Sequence, residues 1–119
     1  MPANSQARSR TIAIGDIHGH IKALVGLIHL IKPQSEDTLV FLGDYINRGP
    51  DSKGVLQFII DLKQRYNVVC IMGNHEEMMI NAYADPSTMG WFLENGGHAT
   101  LQSYGHALSL GFSYLNLSP

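Results

Sequence analysis

Three short apolar runs occur along the chain, and each ends in glycine followed by a polar residue. They read TIAIGD over 11–16, TLVFLGD over 38–44 and NVVCIMGN over 67–74. Continuous apolar runs of this length are typical of strands in a parallel sheet that is covered on both faces. The pattern therefore predicts three parallel strands whose C-terminal ends carry polar side chains.

The segments between these runs have the apolar spacing of helices. The first helical face, which follows His20 and ends before Pro33, comprises Ile21, Leu24, Val25, Ile28 and Ile31. A second helix can be capped by Asp51 or Ser52, and its apolar face comprises Val55, Phe58, Ile59 and Leu62. A third helix is predicted to begin in NHEEMM, because negatively charged glutamates in the first turn interact favourably with the positive end of the helix dipole.

The predicted order is β-α-β-α-β-α, and right-handed crossovers then bring all three strand ends to one edge. Beyond Pro86 the segment TMGWFLENGGHATLQSYG predicts one or two short helices broken at Gly96-Gly97. Residues 1–10 are predicted to form a flexible arm, and 11–105 to form the domain. Residues 106–119 alternate in polarity, which is compatible with an edge strand or a frayed tail.

Composition narrows the class of protein. The chain has 119 residues, of which 45% are hydrophobic and 15% charged, with a formal net charge of −2. These values predict one soluble globular domain, and they argue against nucleic acid or a membrane surface as the main partner. No apolar run approaches the ~20 residues needed to span a bilayer. The single Cys70 is expected to be a small buried hydrophobe in a reducing, cytoplasmic setting.

Polar side chains that can bind metal follow each predicted strand. Asp16 and His18 follow the first strand, Asp44 the second and Asn74 the third, each set preceded by a glycine. Carboxylate oxygen combined with imidazole suits Mn, Fe or Zn. One Asp-x-His is more often a cap or a turn, but such residues after three successive strands predict a metal site.

The three motifs that carry these residues are GDIHG, GDYINRG and GNHE. In this order and spacing they resemble the N-terminal signature motifs of the phosphoprotein phosphatase family of calcineurin-like metallophosphoesterases. That family includes bacterial serine/threonine protein phosphatases and symmetrical diadenosine tetraphosphatases. The resemblance covers about 11–105. It implies an α/β fold, the N-terminal β-α-β-α-β-α half of a metallophosphoesterase sandwich, with helices packed on parallel strands.

The resemblance also implies metal ligands at the matching positions. Asp16 and His18 would bind the first divalent ion, Asp44 would bridge the two ions, and Asn74 would bind the second. Two ions of Mn, Fe, Zn or a similar metal are therefore expected. Two cations ~3.5–4 Å apart can activate a water and clamp an in-line displacement at phosphorus.

Three further residues acquire catalytic roles by the same resemblance. Arg48 would bind the substrate phosphate, and His75 would protonate the leaving oxygen as general acid. Asn47 stands where protein phosphatases usually carry the aspartate that pairs with this histidine. An amide can only orient the ring, so a lower pKa of His75 and slower leaving-group protonation are expected. Asparagine is tolerated in the tetraphosphatase branch, whereas GDY and GNHE favour the protein-phosphatase branch.

Relatives in this family are considerably longer, and their C-terminal half supplies two further histidines to the second metal. Here His98 and His106 are interpreted as surface residues, so the second metal site is expected to be incomplete. The chain is accordingly interpreted as a fragment or a truncated product. An exposed apolar face and self-association are expected with it.

Three functions remain open at this stage. The first is metal-dependent hydrolysis of phosphate esters, most like a serine/threonine protein phosphatase acting on a phosphorylated protein. The second is hydrolysis of diadenosine tetraphosphate or another nucleotide substrate. The third is a catalytically impaired module that binds metal without turnover.

Overall fold

The computed structural model describes residues 9–105, and these form an α/β unit built on one parallel sheet. The predicted arm over 1–10 and the tail over 106–119, with His106, lie largely or wholly outside the described residues. The elements in chain order are β1 (Thr11–Ile14), α1 (Ile21–Ile31), β2 (Thr38–Phe41), α2 (Ser52–Lys63), β3 (Asn67–Cys70), α3 (Asn74–Ala84), a 3₁₀ turn (Pro86–Thr88), α4 (Met89–Phe92), a π turn (Leu93–Gly97) and α5 (His98–Ser103). The predicted fold class and element order are confirmed.

The sheet has the order β1-β2-β3, and both pairs are parallel. The register places Ile14, Phe41 and Cys70 side by side as the last residues of the three strands. The three loops that follow therefore leave the sheet at the same edge. This is the geometry that the glycine-polar repeats predicted.

Helices cover only one face of this sheet within the described residues. Strand residues such as Leu39 and Phe41 are fully buried there, and the helical members of the core include Leu24, Ile28, Val55, Ile59 and Leu62. The opposite face carries side chains that are about half exposed, among them Leu42, Val69 and Ile71. The prediction of cover on both faces is therefore wrong for this part of the chain. Apolar side chains on this face are exposed within the described residues, and the expected self-association stays a prediction.

Two residues differ from the predicted burial. Cys70 is exposed, because β3 lies at the edge of the sheet with a neighbouring strand on one side only in the described region. Val25 is 43% exposed, whereas Leu24 and Ile28 of the same helix are buried. Residues four positions apart share one helical face, and Val25 lies ~100° around the helix from Leu24. The helical face predicted from the sequence thus included one residue, Val25, that is exposed in the structure.

The helix ends follow the predicted signals. Asp51 caps α2, since its Oδ1 accepts a hydrogen bond from the backbone N–H of Gly54 at 2.8 Å. His20 stands at the N-cap of α1 but is exposed and makes no side-chain capping bond. The last two helices are separated by non-helical backbone at Asn95 and Gly96. Between residues 9 and 105, no helix has the length and apolar content that crossing a bilayer requires.

The buried carboxylate of Asp37 links the residue before β1 to the loop before β2. The Asp37 carboxylate accepts hydrogen bonds from the Arg10 backbone N–H at 2.9 Å and from the Arg10 side-chain Nη2 at 2.7 Å. The backbone N–H of Gln34 donates to the same carboxylate at 2.8 Å. The Arg10 side chain, together with these backbone donors, lowers the pKa of Asp37 to about 2. Arg10 therefore belongs to the folded unit rather than to the arm.

Replacing this carboxylate tests its contribution. Asp37→Asn is expected to lower the melting temperature at neutral pH by ~5 °C, because an amide cannot accept all of these donors. The folded pKa lies below the ordinary value of 3.8. The contribution is therefore present above that value and lost as pH falls through about 2. Thermal melts over this range should show the two proteins converging in acid. Glu36→Gln, at an exposed neighbour, is the control, and equal melting temperatures at neutral pH would contradict the prediction.

Candidate metal centre

Three of the four predicted metal ligands come together at the sheet edge. Asp16 and His18 lie in the loop after β1, and Asp44 lies in the loop after β2. Their potential ligand atoms are all within 4.8 Å of one another. Asp16 Oδ2 and His18 Nε2 are 3.8 Å apart. Residues that are 28 positions apart in sequence thus form one cluster because parallel strands deliver them to the same edge.

The hydrogen bonds around His18 prepare it to bind a cation. Its Nδ1 lies 2.9 Å from the backbone oxygen of Ile46, which can only accept, so Nδ1 carries the proton and Nε2 is left with its lone pair. The backbone N–H groups of Ile17 and His18 both donate to the carbonyl of Asp44, at 3.0 and 2.9 Å. Two carboxylates and one free imidazole nitrogen therefore fit a divalent transition metal.

Asn74, predicted for a second ion, is the exposed first residue of α3. The backbone N–H of the next residue, His75, donates to Asp44 Oδ1 at 3.1 Å. This contact brings the start of α3 to the carboxylate that was predicted to bridge the ions. Asp44 and Asn74 are the described residues from the predicted set that a second ion could use.

His75 and Asn47 form a buried pair beside the cluster. Asn47 Nδ2 lies 2.9 Å from His75 Nδ1, and the His75 ring packs edge-on against His18 with centroids 4.7 Å apart. Because the amide nitrogen donates, Nδ1 accepts and the ring carries its proton on Nε2. Burial is the main cause that lowers the pKa of His75, and its electrostatic interactions with His18 and Arg48 lower it further, while the carboxylates of Asp44 and Glu76 act in the opposite direction.

Arg48 is exposed next to this pair and is held through its backbone. Its N–H donates to the carbonyl of Gly96 at 3.1 Å, so the π turn packs against it. Gly96 has a φ of 92°, and a Cβ there would lie 2.8 Å from Arg48 Cγ and 2.9 Å from its N. Only glycine permits this approach without displacing Arg48. The Gly96-Gly97 break that the sequence predicted thus has a role at the site.

Left-handed backbone conformations concentrate at these residues. Among described non-glycine residues, five have positive φ, and four of them are His18, Asp44, Asn47 and Arg48, with values of 43°, 57°, 76° and 72°. Each such residue costs on the order of 1–3 kcal/mol and persists only when its surroundings hold it. The loops at this edge are therefore strained and must be fastened by other contacts.

The side chain of Glu76 makes the contacts that hold these loops in place. Sequence reasoning missed this role, because it considered Glu76 only as a charge near the helix dipole. Its buried Oε1 accepts from the backbone N–H groups of Asp44 at 2.7 Å and Gly73 at 2.9 Å. Its Oε2 accepts from those of Tyr45 at 2.8 Å and Ile46 at 3.4 Å. The available signal was the spacing of Gly73 at the N-cap and Glu76 at N3, which matches the glutamate half of a capping box.

The two loops that Glu76 joins also touch directly. Gly43 has a φ of 102°, and a Cβ on it would lie 2.5 Å from the backbone N of Gly73. Glycine is therefore required where the loops cross. The hydroxyl of Tyr45 lies 2.6 Å from the carbonyl of Ile71 and 3.1 Å from that of Phe41. Burial raises the pKa of Tyr45 to about 12, so this hydroxyl remains protonated as a donor.

The comparisons with known proteins agree with the fold and the cluster. Residues 9–117 match the calcineurin-like phosphoesterase family. The match covers most of the chain and includes all three motifs that carry the site. The chain belongs to the calcineurin-like phosphoesterase family, as its motifs predicted.

The curated relatives have several different activities. Serine/threonine-protein phosphatase 1 of Salmonella typhimurium is 35% identical over 96 residues, which is 79% of this chain and 42% of that protein. The zinc-dependent endopolyphosphatase of Saccharomyces cerevisiae is 37% identical over 82 residues, 67% of this chain and 24% of that protein. A symmetrical bis(5'-nucleosyl)-tetraphosphatase of Buchnera aphidicola is 41% identical over 75 residues, 62% of this chain and 26% of that protein.

A solved structure shares the architecture. It is a crystal structure described as that of a candidate diadenosine tetraphosphatase, with a TM-score of 0.58 and 26% sequence identity. The alignment covers 92% of this chain and 42% of the other. The chain thus spans less than half the length of these relatives.

The role of Glu76 can be tested against its neighbour. Glu76→Gln is expected to lower the free energy of unfolding by about 2 kcal/mol, because hydrogen bonds to a charged acceptor are worth about 1.5–3 kcal/mol. Glu77→Gln, on the same first turn of α3 but exposed, should change it by less than about 0.5 kcal/mol. Urea unfolding measures both. Equal effects of the two changes would show that Glu76 does not fasten the loops.

Metal binding by the cluster can be tested with a matched pair of histidines. His18→Gln is expected to weaken binding of Mn²⁺ or Zn²⁺ by at least ~10-fold, because it removes the free imidazole nitrogen of the cluster. His20→Gln, two residues away and exposed, should leave the affinity unchanged. Calorimetric titration of each purified protein gives the dissociation constants. Loss of affinity in both variants, or in neither, would place the ion elsewhere.

Proposed function

We propose that this protein hydrolyses phosphate esters in a metal-dependent reaction. The observation that carries the proposal is the Asp16–His18–Asp44 cluster, which lies against His75 and beside Arg48. A cation-binding group, a histidine with a shifted pKa and an arginine at one edge are the components that phosphoryl transfer requires. Membership of the calcineurin-like phosphoesterase family supports the same reaction class.

In this proposal each residue has one of three roles: it binds the metal, binds the phosphate or donates a proton. Asp16, His18 and Asp44 would hold a divalent cation, which would supply Lewis-acid polarisation and neutralise phosphate charge. Arg48 presents a planar guanidinium that can pair with two phosphate oxygens. His75 accepts the Asn47 amide at Nδ1 and so holds its ring proton at Nε2. That proton is the one available to a leaving oxygen.

A second ion belongs to the proposal as well. Asp44 and Asn74 supply oxygen ligands at the start of α3, and manganese is a suitable metal for such a mixed set. In this arrangement Asp44 would supply oxygen ligands to both ions. Its left-handed backbone and its bond from the His75 N–H hold that carboxylate at the junction of the three loops.

Two substrate classes have support. The GDY and GNHE motifs, together with the coverage of 79% of this chain by the Salmonella phosphatase, favour a phosphorylated protein. Asn47 favours a dinucleotide, because asparagine is tolerated at this place in the tetraphosphatase branch that the sequence resembles, and relatives named as tetraphosphatases share the region. We place the phosphorylated protein first and diadenosine tetraphosphate second.

Turnover by the 119-residue chain tests the proposal. With Mn²⁺ added, release of phosphate from a phosphoserine peptide is expected to exceed cleavage of diadenosine tetraphosphate, and the reverse ranking would select the dinucleotide. Asp44→Asn should abolish metal-dependent turnover, whereas Asp61→Asn on the exposed face of α2 should not. No turnover of either substrate by a chain shown to bind metal would overturn the proposal and favour a module that only binds metal.

A further inference from the structure

We propose that Thr100 is a positioning residue that fixes which end of the Asn47 amide faces His75. Thr100 lies in α5, within the NGGHAT segment to which sequence reasoning gave no function. Its importance for catalysis rests on the proposed function. The positioning itself can be measured without turnover. A negative result for the positioning would therefore not contradict the proposed function, and a negative result for turnover would not contradict the positioning.

Thr100, Ser52 and Asn47 form a fully buried hydrogen-bonded group. The backbone N–H of Asn47 lies 2.8 Å from Thr100 Oγ1 and 3.1 Å from Ser52 Oγ. Thr100 Oγ1 lies 2.8 Å from Asn47 Oδ1 and 2.8 Å from Ser52 Oγ. The other end of the Asn47 side chain, Nδ2, lies 2.9 Å from His75 Nδ1.

The donor and acceptor roles follow from the backbone. The N–H of Asn47 can only donate, so Thr100 Oγ1 accepts from it. If the amide were reversed, Nδ2 would present a second donor of the same residue to that same oxygen. With Oδ1 there instead, the Thr100 hydroxyl accepts one bond from Asn47 and donates one back. When the Thr100 hydroxyl gives its single proton to Asn47 Oδ1 rather than to Ser52 Oγ, Oδ1 faces Thr100 and Nδ2 faces His75.

The orientation of the Asn47 amide affects His75 through one contact, the hydrogen bond between Asn47 Nδ2 and His75 Nδ1. When Nδ2 donates to His75 Nδ1, the neutral ring must carry its proton on Nε2. A reversed amide would present Oδ1 and favour the proton on Nδ1. Thr100 is 53 residues from Asn47 in sequence, and α5 is held to α2 by packing and by the bond from Lys53 N to Ser103 Oγ at 3.0 Å. Tertiary packing thus sets the proton position on His75.

The proton position can be read by NMR. Long-range ¹H–¹⁵N spectra of the metal-free, ¹⁵N-labelled 119-residue chain distinguish the two neutral histidine tautomers in mildly alkaline buffer. His75→Gln identifies the His75 signals by their loss. The wild type is expected to hold the proton on Nε2. Thr100→Ser, which keeps the hydroxyl, should retain this tautomer. Ser52→Ala removes the acceptor that competes for the Thr100 proton and the longer contact to the Asn47 N–H, and it should retain the tautomer as well.

Thr100→Val keeps the shape and removes the hydroxyl. It is expected to shift the ratio of the two tautomers towards Nδ1–H by roughly fivefold or more, the effect of losing one hydrogen bond. Circular dichroism checks its fold, and Thr100→Ala replaces it in the same measurement if the valine variant does not fold. A wild-type ring protonated on Nδ1, or an unchanged ratio in a folded variant without the hydroxyl, would overturn the proposal. A shift in Thr100→Ser as large as that in Thr100→Val would also overturn it.

Discussion

The buried carboxylate of Glu76 is the contact on which the rest of the site depends. It accepts four backbone N–H groups, three from the loop after β2 and one from the turn before α3. A carboxylate has enough lone pairs to satisfy all four donors, and its charge strengthens each bond. The backbone of Asp44 is fixed by this contact. Because the carbonyl of Asp44 in turn accepts from Ile17 and His18, the loop after β1 is fixed as well.

This fastening explains how the site tolerates its backbone conformations. Left-handed residues at His18, Asp44, Asn47 and Arg48 are individually unfavourable, and together they would favour another loop conformation if nothing opposed them. Glu76 holds the first two from the side of α3. The segment that contains Gly96 and Thr100 holds Asn47 and Arg48 from the opposite side. Stability elsewhere in the fold therefore maintains strain at the residues that carry the chemistry.

The same contacts separate the metal-binding part of the site from the proton-carrying part. His18 donates from Nδ1 to a carbonyl and keeps Nε2 free as a ligand, whereas His75 accepts at Nδ1 and keeps its proton at Nε2. Two histidines whose rings are in edge-on contact thus have opposite tautomers, and each tautomer is set by its hydrogen-bond partner. Family membership accounts for the presence of both residues, and the local hydrogen bonds account for how each one is used.

The sequence alone determined the element order and most of the site. Apolar runs and helical spacing are local signals, and the motifs GDIHG, GDYINRG and GNHE place Asp16, His18 and Asp44 after successive strands. Only the tertiary structure decided the exposure of Cys70 and which face of the sheet the helices cover within residues 9–105. It alone decided the partners of Glu76 and Thr100 as well. These features depend on which distant segments meet, through hydrogen bonds that span about 30 to 50 residues and burial that no local pattern encodes.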